Sequence, residues 1–194
     1  MAKEIESKHT GGVGFDEEHR TFVVGSIVLS ASFVEATINE VYQDASDNPQ
    51  SYITALPPES LTALAVFWKE SGEDQDRPAG GALLKYQVAL VLCRKPPFDR
   101  GTQSFQNAQL LIRLRNYLIH YKPEWIGTSE SHKLGEQLQQ RDFQPNSLSV
   151  GSANPYFPDK CLGYGCANWH RPKVQAVILW KFRKSAGNPK SWHT

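Results

Sequence analysis

Apolar residues recur at three- and four-residue steps through most of the first 140 positions. This spacing lines one face of an α-helix. Clusters of Pro, Gly, Asn and Asp separate the apolar stretches, as helix ends require. The pattern predicts helices over residues 16–44, 58–71, 82–93, 102–121 and 130–141. We therefore predict an all-α fold, a helical bundle of about five helices.

The last third of the chain has a different pattern. Residues 143–165 are rich in Pro, Asn, Ser and Gly, which predicts a long loop. The stretch 172–184 fits a helix by the spacing of its valines, and its Val-Ile-Leu-Trp run also suits a strand. A chain of 194 residues with 40% apolar side chains can bury one sizeable core. We predict a single domain over 1–194, with its core in 16–141 and a loop and basic C-terminal element in 142–194.

Charge is unevenly distributed along the chain. Residues 1–159 contain 14 Lys or Arg against 20 Asp or Glu, a balance of −6, whereas residues 160–194 contain seven Lys or Arg and no acid. A basic segment with interleaved aromatic rings is typical of nucleic-acid binding, through phosphate contacts and base stacking. A helix with a solvated cationic face fits the same composition. For RNA binding we single out Lys122, Trp169, His170, Arg171 and Lys173.

The N-terminal residues and the cysteine count bear on location. The first ten residues include two Lys and two Glu and lack the apolar stretch of a signal peptide. The longest uncharged apolar run, residues 22–34, has 13 residues. Spanning a bilayer takes roughly 20 residues, so we interpret this run as a buried core helix. Three cysteines are too few for a disulfide framework. We predict a cytoplasmic protein without membrane association.

Cys161, Cys166 and His170 bring three residues of zinc-ligand type into one short segment. The first spacing is looser than in most zinc sites, and no fourth ligand is evident. We predict no metal and no cofactor.

The helix over 102–121 ends in a cluster of residues suited to phosphate chemistry. Asn116 and His120 are one helical turn apart and share a face, and Arg115 flanks them. Histidine can move a proton, arginine can hold a phosphate and asparagine can orient either group, which suits RNA cleavage through its own 2′-hydroxyl without a metal. An arginine and a histidine that only cap the helix C-terminus are the structural alternative.

The stretch from Leu111 to Trp125 resembles the signature of the HEPN superfamily of helical nucleotide-binding domains. Its motif is an Arg, a polar residue that is often Asn, and a His, here Arg115, Asn116 and His120. The resemblance covers residues 16–123. It implies an endoribonuclease of a toxin–antitoxin or anti-phage defence system that works as a homodimer and that an antitoxin or other regulatory partner can control.

The resemblance also suggests supporting residues. Glu35 and Asn39 share a face of the first long helix. In a bundle whose first helix lies beside the motif helix, Glu35 can orient Arg115 or His120, and an ordinary solvent-facing glutamate is the alternative. In the subgroup paired with nucleotidyltransferase antitoxins a tyrosine follows the histidine by two residues, whereas here Tyr121 is adjacent and Lys122 takes that position. Two alternatives remain open, a non-catalytic HEPN module that binds RNA or a partner protein and a plain helical scaffold.

Overall fold

The computed structural model describes residues 1–9, 14–47, 56–72, 81–120 and 133–169. Within these residues 74% are helical and none is in a strand, so the all-α prediction is confirmed. Six helices have at least seven residues: α1 (Ala2–Lys8), α2 (Glu17–Asp47), α3 (Pro58–Gly72), α4 (Ala82–Leu92), α5 (Gln103–Ile119) and α6 (Lys133–Gln139). Shorter elements are a 3-10 turn (Ser147–Ser149), an irregular helical turn (Tyr156–Lys160) and α7 (Tyr164–Trp169).

The five predicted helices correspond to α2 to α6, with ends that differ by a few residues. The additional helix, α1, has no buried residue and therefore no apolar stripe that a periodicity argument can detect. The element predicted over 172–184 lies outside the described residues.

The segment 143–165, predicted as a long loop, is irregular over 13 of its 23 residues and helical over the other ten. It contains the 3-10 turn, the irregular helical turn and the start of α7, and it buries Leu148, Phe157 and Leu162. Asn146 organises it, because its side chain accepts from the Leu148 backbone N–H at 3.1 Å and donates to the Asp159 carbonyl at 3.2 Å. The polar residues of this segment therefore form capped turns, and the apolar side chains between them are buried in the core.

The chain divides into two compact units. The first combines Met1–Ala31 with described residues 106–169, and the second is Ser32–Phe105 among the described residues. Both α2 and α5 contribute residues to each unit. The single-domain assignment stays a prediction.

In the first unit, buried leucines of α5 and α6 form the centre of the core together with α2 and the segment after α6. Its fully buried side chains include Val23, Ile27, Leu111, Leu114, Leu138, Leu148 and Leu162. Tyr117 packs edge-on against Phe157 with ring centroids 4.9 Å apart. This contact joins the C-terminal half of α5 to the irregular helical turn.

In the second unit, Tyr42 is the central aromatic residue. Its ring stacks on Trp68 at 5.7 Å and its hydroxyl donates to the Lys85 carbonyl at 2.8 Å. The Lys85 ammonium lies 5.0 Å from the centre of the Trp68 ring and donates to Asn39 Oδ1 at 2.9 Å. Aromatic packing and a cation–π contact thus join α2, α3 and α4.

Helix α2 is the one helix among the described residues that is long and apolar enough to cross a membrane. Its most apolar 18-residue window has a mean hydropathy of 1.7, and 28% of that window is buried. Length and composition alone meet this criterion, which core helices of soluble proteins also meet. One face of α2 buries Val23, Ile27 and Val34, whereas Leu29 on another face is 71% exposed.

Candidate active site

Helix α5 carries the predicted catalytic residues. Thr102, just before the helix, accepts a hydrogen bond from the Phe105 backbone N–H at 3.4 Å, as a residue at an N-cap does. Buried residues at three- and four-residue steps fix the rotation of the helix: Asn107, Ala108, Leu110, Leu111 and Leu114. The helix contains no acidic residue. Its exposed surface therefore carries no negative charge, and it includes the apolar Ile119, which is 51% exposed.

The structure places Asn116 and His120 on the exposed side of α5. Both side chains are exposed, and the His120 backbone N–H donates to the Asn116 carbonyl at 2.9 Å, which closes the last helical turn. The two side chains therefore lie next to each other on one face, as the spacing predicted.

Arg115 lies further around the helix. At 3.6 residues per turn it is about 140° from His120, and its side chain is half-buried with a shielded Nε atom. Helical spacing therefore places Arg115 beside the Asn116–His120 face and not on it. Burial of the stem restricts the orientations that the guanidinium can adopt.

Arg113, which the sequence analysis did not assign, shares the face of Asn116 and His120. It is exposed, and its Nη1 donates to Gln137 Oε1 of α6 at 2.6 Å. A four-residue spacing between Lys133, Gln137 and Arg141 was visible in the sequence. The contact between α5 and α6 that brings Gln137 to Arg113 depends on tertiary packing, so it was not visible in the sequence.

The predicted supporting residues Glu35 and Asn39 belong to the second unit, whereas the motif belongs to the first. Glu35 is half-buried. The Asn39 side chain accepts from Lys85, which gives it a structural role within its own unit. The supporting role of these two residues at the motif stays a prediction.

Among the predicted RNA-binding residues, the structure describes Trp169. This side chain is only 6% exposed and packs 6.0 Å from the Phe143 ring. The Trp169 ring is therefore turned away from solvent at the end of α7, and its role in RNA binding stays a prediction. Tyr121, Lys122, His170, Arg171 and Lys173 lie outside the described residues.

Cys161 and Cys166 are buried in the same region. Burial raises the pKa of the Cys166 thiol to about 12, and burial with the neighbouring Cys166 raises the pKa of Cys161 well above its usual range. Zinc binds cysteine in its deprotonated thiolate form, whereas these buried environments favour the protonated thiol. No group of three His, Cys, Asp or Glu suited to a metal occurs among the described residues.

A buried ionisable cluster that the sequence did not suggest joins α1 to the rest of the first unit. His19 Nε2 lies 2.7 Å from Glu6 Oε1, and the same oxygen accepts from the Tyr164 backbone N–H at 2.6 Å. The other carboxylate oxygen accepts from Ser147 at 3.3 Å. Both oxygens are thus used by protein donors, which suits a structural role.

Comparison of the chain with protein-family models, with curated proteins and with solved structures gives no match.

Proposed function

We propose that this protein is a metal-independent endoribonuclease of the HEPN type. The observation that carries the proposal is the exposure of Asn116 and His120, one turn apart, at the C-terminal end of a helix without an acidic residue. A phosphodiester approaching this face meets hydrogen-bond donors and no carboxylate of the helix. Histidine is the side chain best suited to move protons near neutral pH.

The residues divide the reaction between them. His120 accepts the proton of the substrate 2′-hydroxyl, and O2′ then attacks the adjacent phosphorus. The bond from phosphorus to O5′ breaks, which leaves a 2′,3′-cyclic phosphate on one product and a protonated 5′-hydroxyl on the other. Arg115 stabilises the charge on the phosphoryl oxygens, and Asn116 orients the scissile group.

The leaving oxygen needs a proton from a second acid. Within the described part of the chain His120 is the one exposed histidine, because His9 is half-buried and His19 is buried. A homodimer that brings two copies of the motif together supplies His120 of the partner subunit as that acid. Sedimentation of the active protein as a dimer at micromolar concentration is the expected result, and full activity in a monomer contradicts this arrangement.

The biological setting follows from the HEPN resemblance alone. In a toxin–antitoxin or anti-phage system the enzyme acts on RNA in the cytoplasm, and an antitoxin or other regulatory partner holds it inactive.

The decisive experiment compares RNA cleavage by the wild-type protein and by His120→Ala, each with EDTA and with magnesium. We expect cleavage that EDTA does not abolish and a loss of about 10²- to 10⁴-fold for the variant, the usual contribution of one general acid or base. Gln139→Ala, an exposed neutral substitution in α6, is the control and keeps wild-type cleavage.

Equal cleavage by His120→Ala, or a strict requirement for magnesium, contradicts the proposed mechanism. Binding of RNA without cleavage by the wild-type protein instead supports the non-catalytic module that binds RNA.

A further inference from the structure

A group of cations lies beside the motif where α5 meets α6. Arg113 of α5 is hydrogen-bonded to Gln137 of α6, and Gln137 is flanked at four-residue steps by Lys133 and Arg141. Residues four apart on a helix are neighbours on one face. Arg141 lies two residues beyond the end of α6, in the turn where its backbone N–H donates to the Leu138 carbonyl at 3.0 Å. We call Arg113, Lys133 and Arg141 the cationic strip.

The strip is not neutralised by nearby acids. Within the described part of the chain, none of its three cations forms an ion pair. Glu136 of α6 lies three residues from Lys133, and Asp142 follows Arg141; both carboxylates are exposed. Helix α5 contributes no acid. Arg113 contacts Gln137, and Lys133 and Arg141 lie four residues to either side of Gln137, so an anionic ligand bound here meets three positive charges.

The side chains of the strip are partly pre-ordered. Gln137 holds the Arg113 guanidinium through Nη1, which leaves its remaining N–H groups for a ligand. Arg141 is half-buried, and its buried Nε has no hydrogen-bond partner among the described residues. Packing therefore fixes the position of this guanidinium. Because these side chains are already ordered, less conformational entropy is lost when a ligand binds.

The strip is continuous with the proposed catalytic face. Arg113, Asn116 and His120 follow one another at three- and four-residue steps along the exposed side of α5. An anion held at Arg113 thus lies within two helical turns, about 11 Å, of His120. A ligand that occupies both places must be extended and must carry more than one negative charge.

We propose that the cationic strip binds the phosphates of single-stranded RNA and leads the strand to His120. Arginine and lysine contacts to successive phosphates provide affinity without sequence preference, and exposed amides such as Gln109 and Asn116 suit base edges. The assignment deepens the proposed function, on which the role of His120 as the point of cleavage rests. Phosphate binding by the strip stands independently of cleavage.

The test measures binding of a fluorescein-labelled single-stranded RNA by full-length protein in a His120→Ala background, so that the probe is not cut. Arg113→Ala with Lys133→Ala should raise Kd about tenfold or more, because hydrogen bonds to charged groups contribute strongly. Each lost phosphate contact lowers the slope of log affinity against log salt by about 0.7, so the slope should fall by about 1.4. A double substitution of exposed lysines elsewhere, Lys8→Ala with Lys69→Ala, is the control and keeps both values.

Arg113→Lys keeps the charge and loses the fork that engages Gln137 and phosphate together, so we expect an intermediate affinity with an unchanged salt slope. Thermal unfolding of each variant near the parental temperature shows that the fold is intact. If the strip variants bind RNA as the parent does, or lose no more affinity than the lysine control, the strip assignment is overturned.

The two proposals fail in distinguishable ways. If the wild-type protein binds RNA through the strip and does not cut it, the strip stands and the nuclease proposal fails. If the wild-type protein cuts RNA and the strip variants bind and cut it as well as the wild type does, the nuclease proposal stands and the proposal of RNA binding by the strip fails.

Discussion

His19 Nε2 lies 2.7 Å from Glu6 Oε1, and only 1% of the His19 residue is exposed. The pair joins α1 to the first turns of α2, where Asp16 Oδ1 accepts from the His19 backbone N–H at 2.7 Å. With the Tyr164 N–H on the same Glu6 oxygen, one carboxylate ties α1 to both α2 and α7. A short helix without buried residues is thereby fixed to the core by hydrogen bonds.

This carboxylate should make stability depend on pH. Burial raises the pKa of Glu6, but hydrogen bonds from His19, Tyr164 and Ser147 and the charge of His19 outweigh burial and hold the pKa below its ordinary value of 4.5. A folded-state pKa that is depressed contributes stability above the unfolded value, and this contribution is lost as pH falls through the folded pKa. We expect the free energy of unfolding to decline once the pH drops below 4.5.

Glu6→Gln should remove part of that decline and lower stability near neutral pH by about 1 to 3 kcal/mol, because buried donors lose an ionised acceptor. Glu4→Gln on the exposed side of the same helix is the matched control and should follow the wild-type curve. Urea unfolding between acid and neutral pH measures both. Parallel curves for Glu6→Gln and wild type argue against this role of the carboxylate.

A second prediction concerns the approach of α7 to the segment before it. A Cβ atom on Gly165 would collide with the backbone carbonyl and nitrogen of Gln144. Gly165→Ala should therefore destabilise the protein by about 1 to 3 kcal/mol, the usual cost of overpacking. A Cβ on Gly25 in α2 meets nothing within 4 Å. Gly25→Ala should stabilise by about 0.5 to 1 kcal/mol through helix propensity, and equal effects of the two substitutions in urea unfolding contradict the proposed packing.

The sequence predicted best what depends on local periodicity. Leu110, Leu111 and Leu114 fall on one face of α5, so the helix and its exposed Asn116 and His120 followed from the three- and four-residue spacing. Helix starts such as Pro58 in α3 followed from known positional preferences.

What the sequence did not predict depends on contacts between distant residues. Glu6 and Tyr164 are 158 positions apart, and Arg113 and Gln137 are 24 apart, so neither pair forms a local pattern. Trp169 beside a basic tail suggested an exposed ring, yet hydrophobic burial against Phe143 determines its position. Composition alone does not separate a stacking platform from a core residue.

A third prediction separates the roles of the motif residues. Arg115 is half-buried with a shielded Nε, whereas His120 is exposed. Arg115→Ala should therefore lower both kcat/KM, by about 10²- to 10⁴-fold, and stability, by about 1 to 2 kcal/mol through lost packing of its stem. His120→Ala should lower kcat/KM to the same extent and leave the unfolding temperature unchanged.

The same comparison includes Asn116 and Glu35. Asn116→Ala should fall between His120→Ala and wild type in kcat/KM, and Glu35→Ala should lose least because it acts at best through orientation. Unchanged stability of Arg115→Ala contradicts the anchoring role of its stem.

The last prediction concerns the reaction itself. If His120 activates the substrate 2′-hydroxyl, an RNA with a single 2′-deoxy nucleotide on the 5′ side of the scissile phosphate should resist cleavage at that bond, because the nucleophile is missing. The same RNA should still be cut at other sites, which serves as the internal control. Binding should change little, since phosphate contacts provide most of the affinity.

Mass spectrometry of the products should show a 2′,3′-cyclic phosphate at the new end and a 5′-hydroxyl on the other fragment. A 5′-phosphate product, or normal cleavage of the 2′-deoxy bond, means that water is the nucleophile, and the roles assigned to His120 and Arg115 are then wrong.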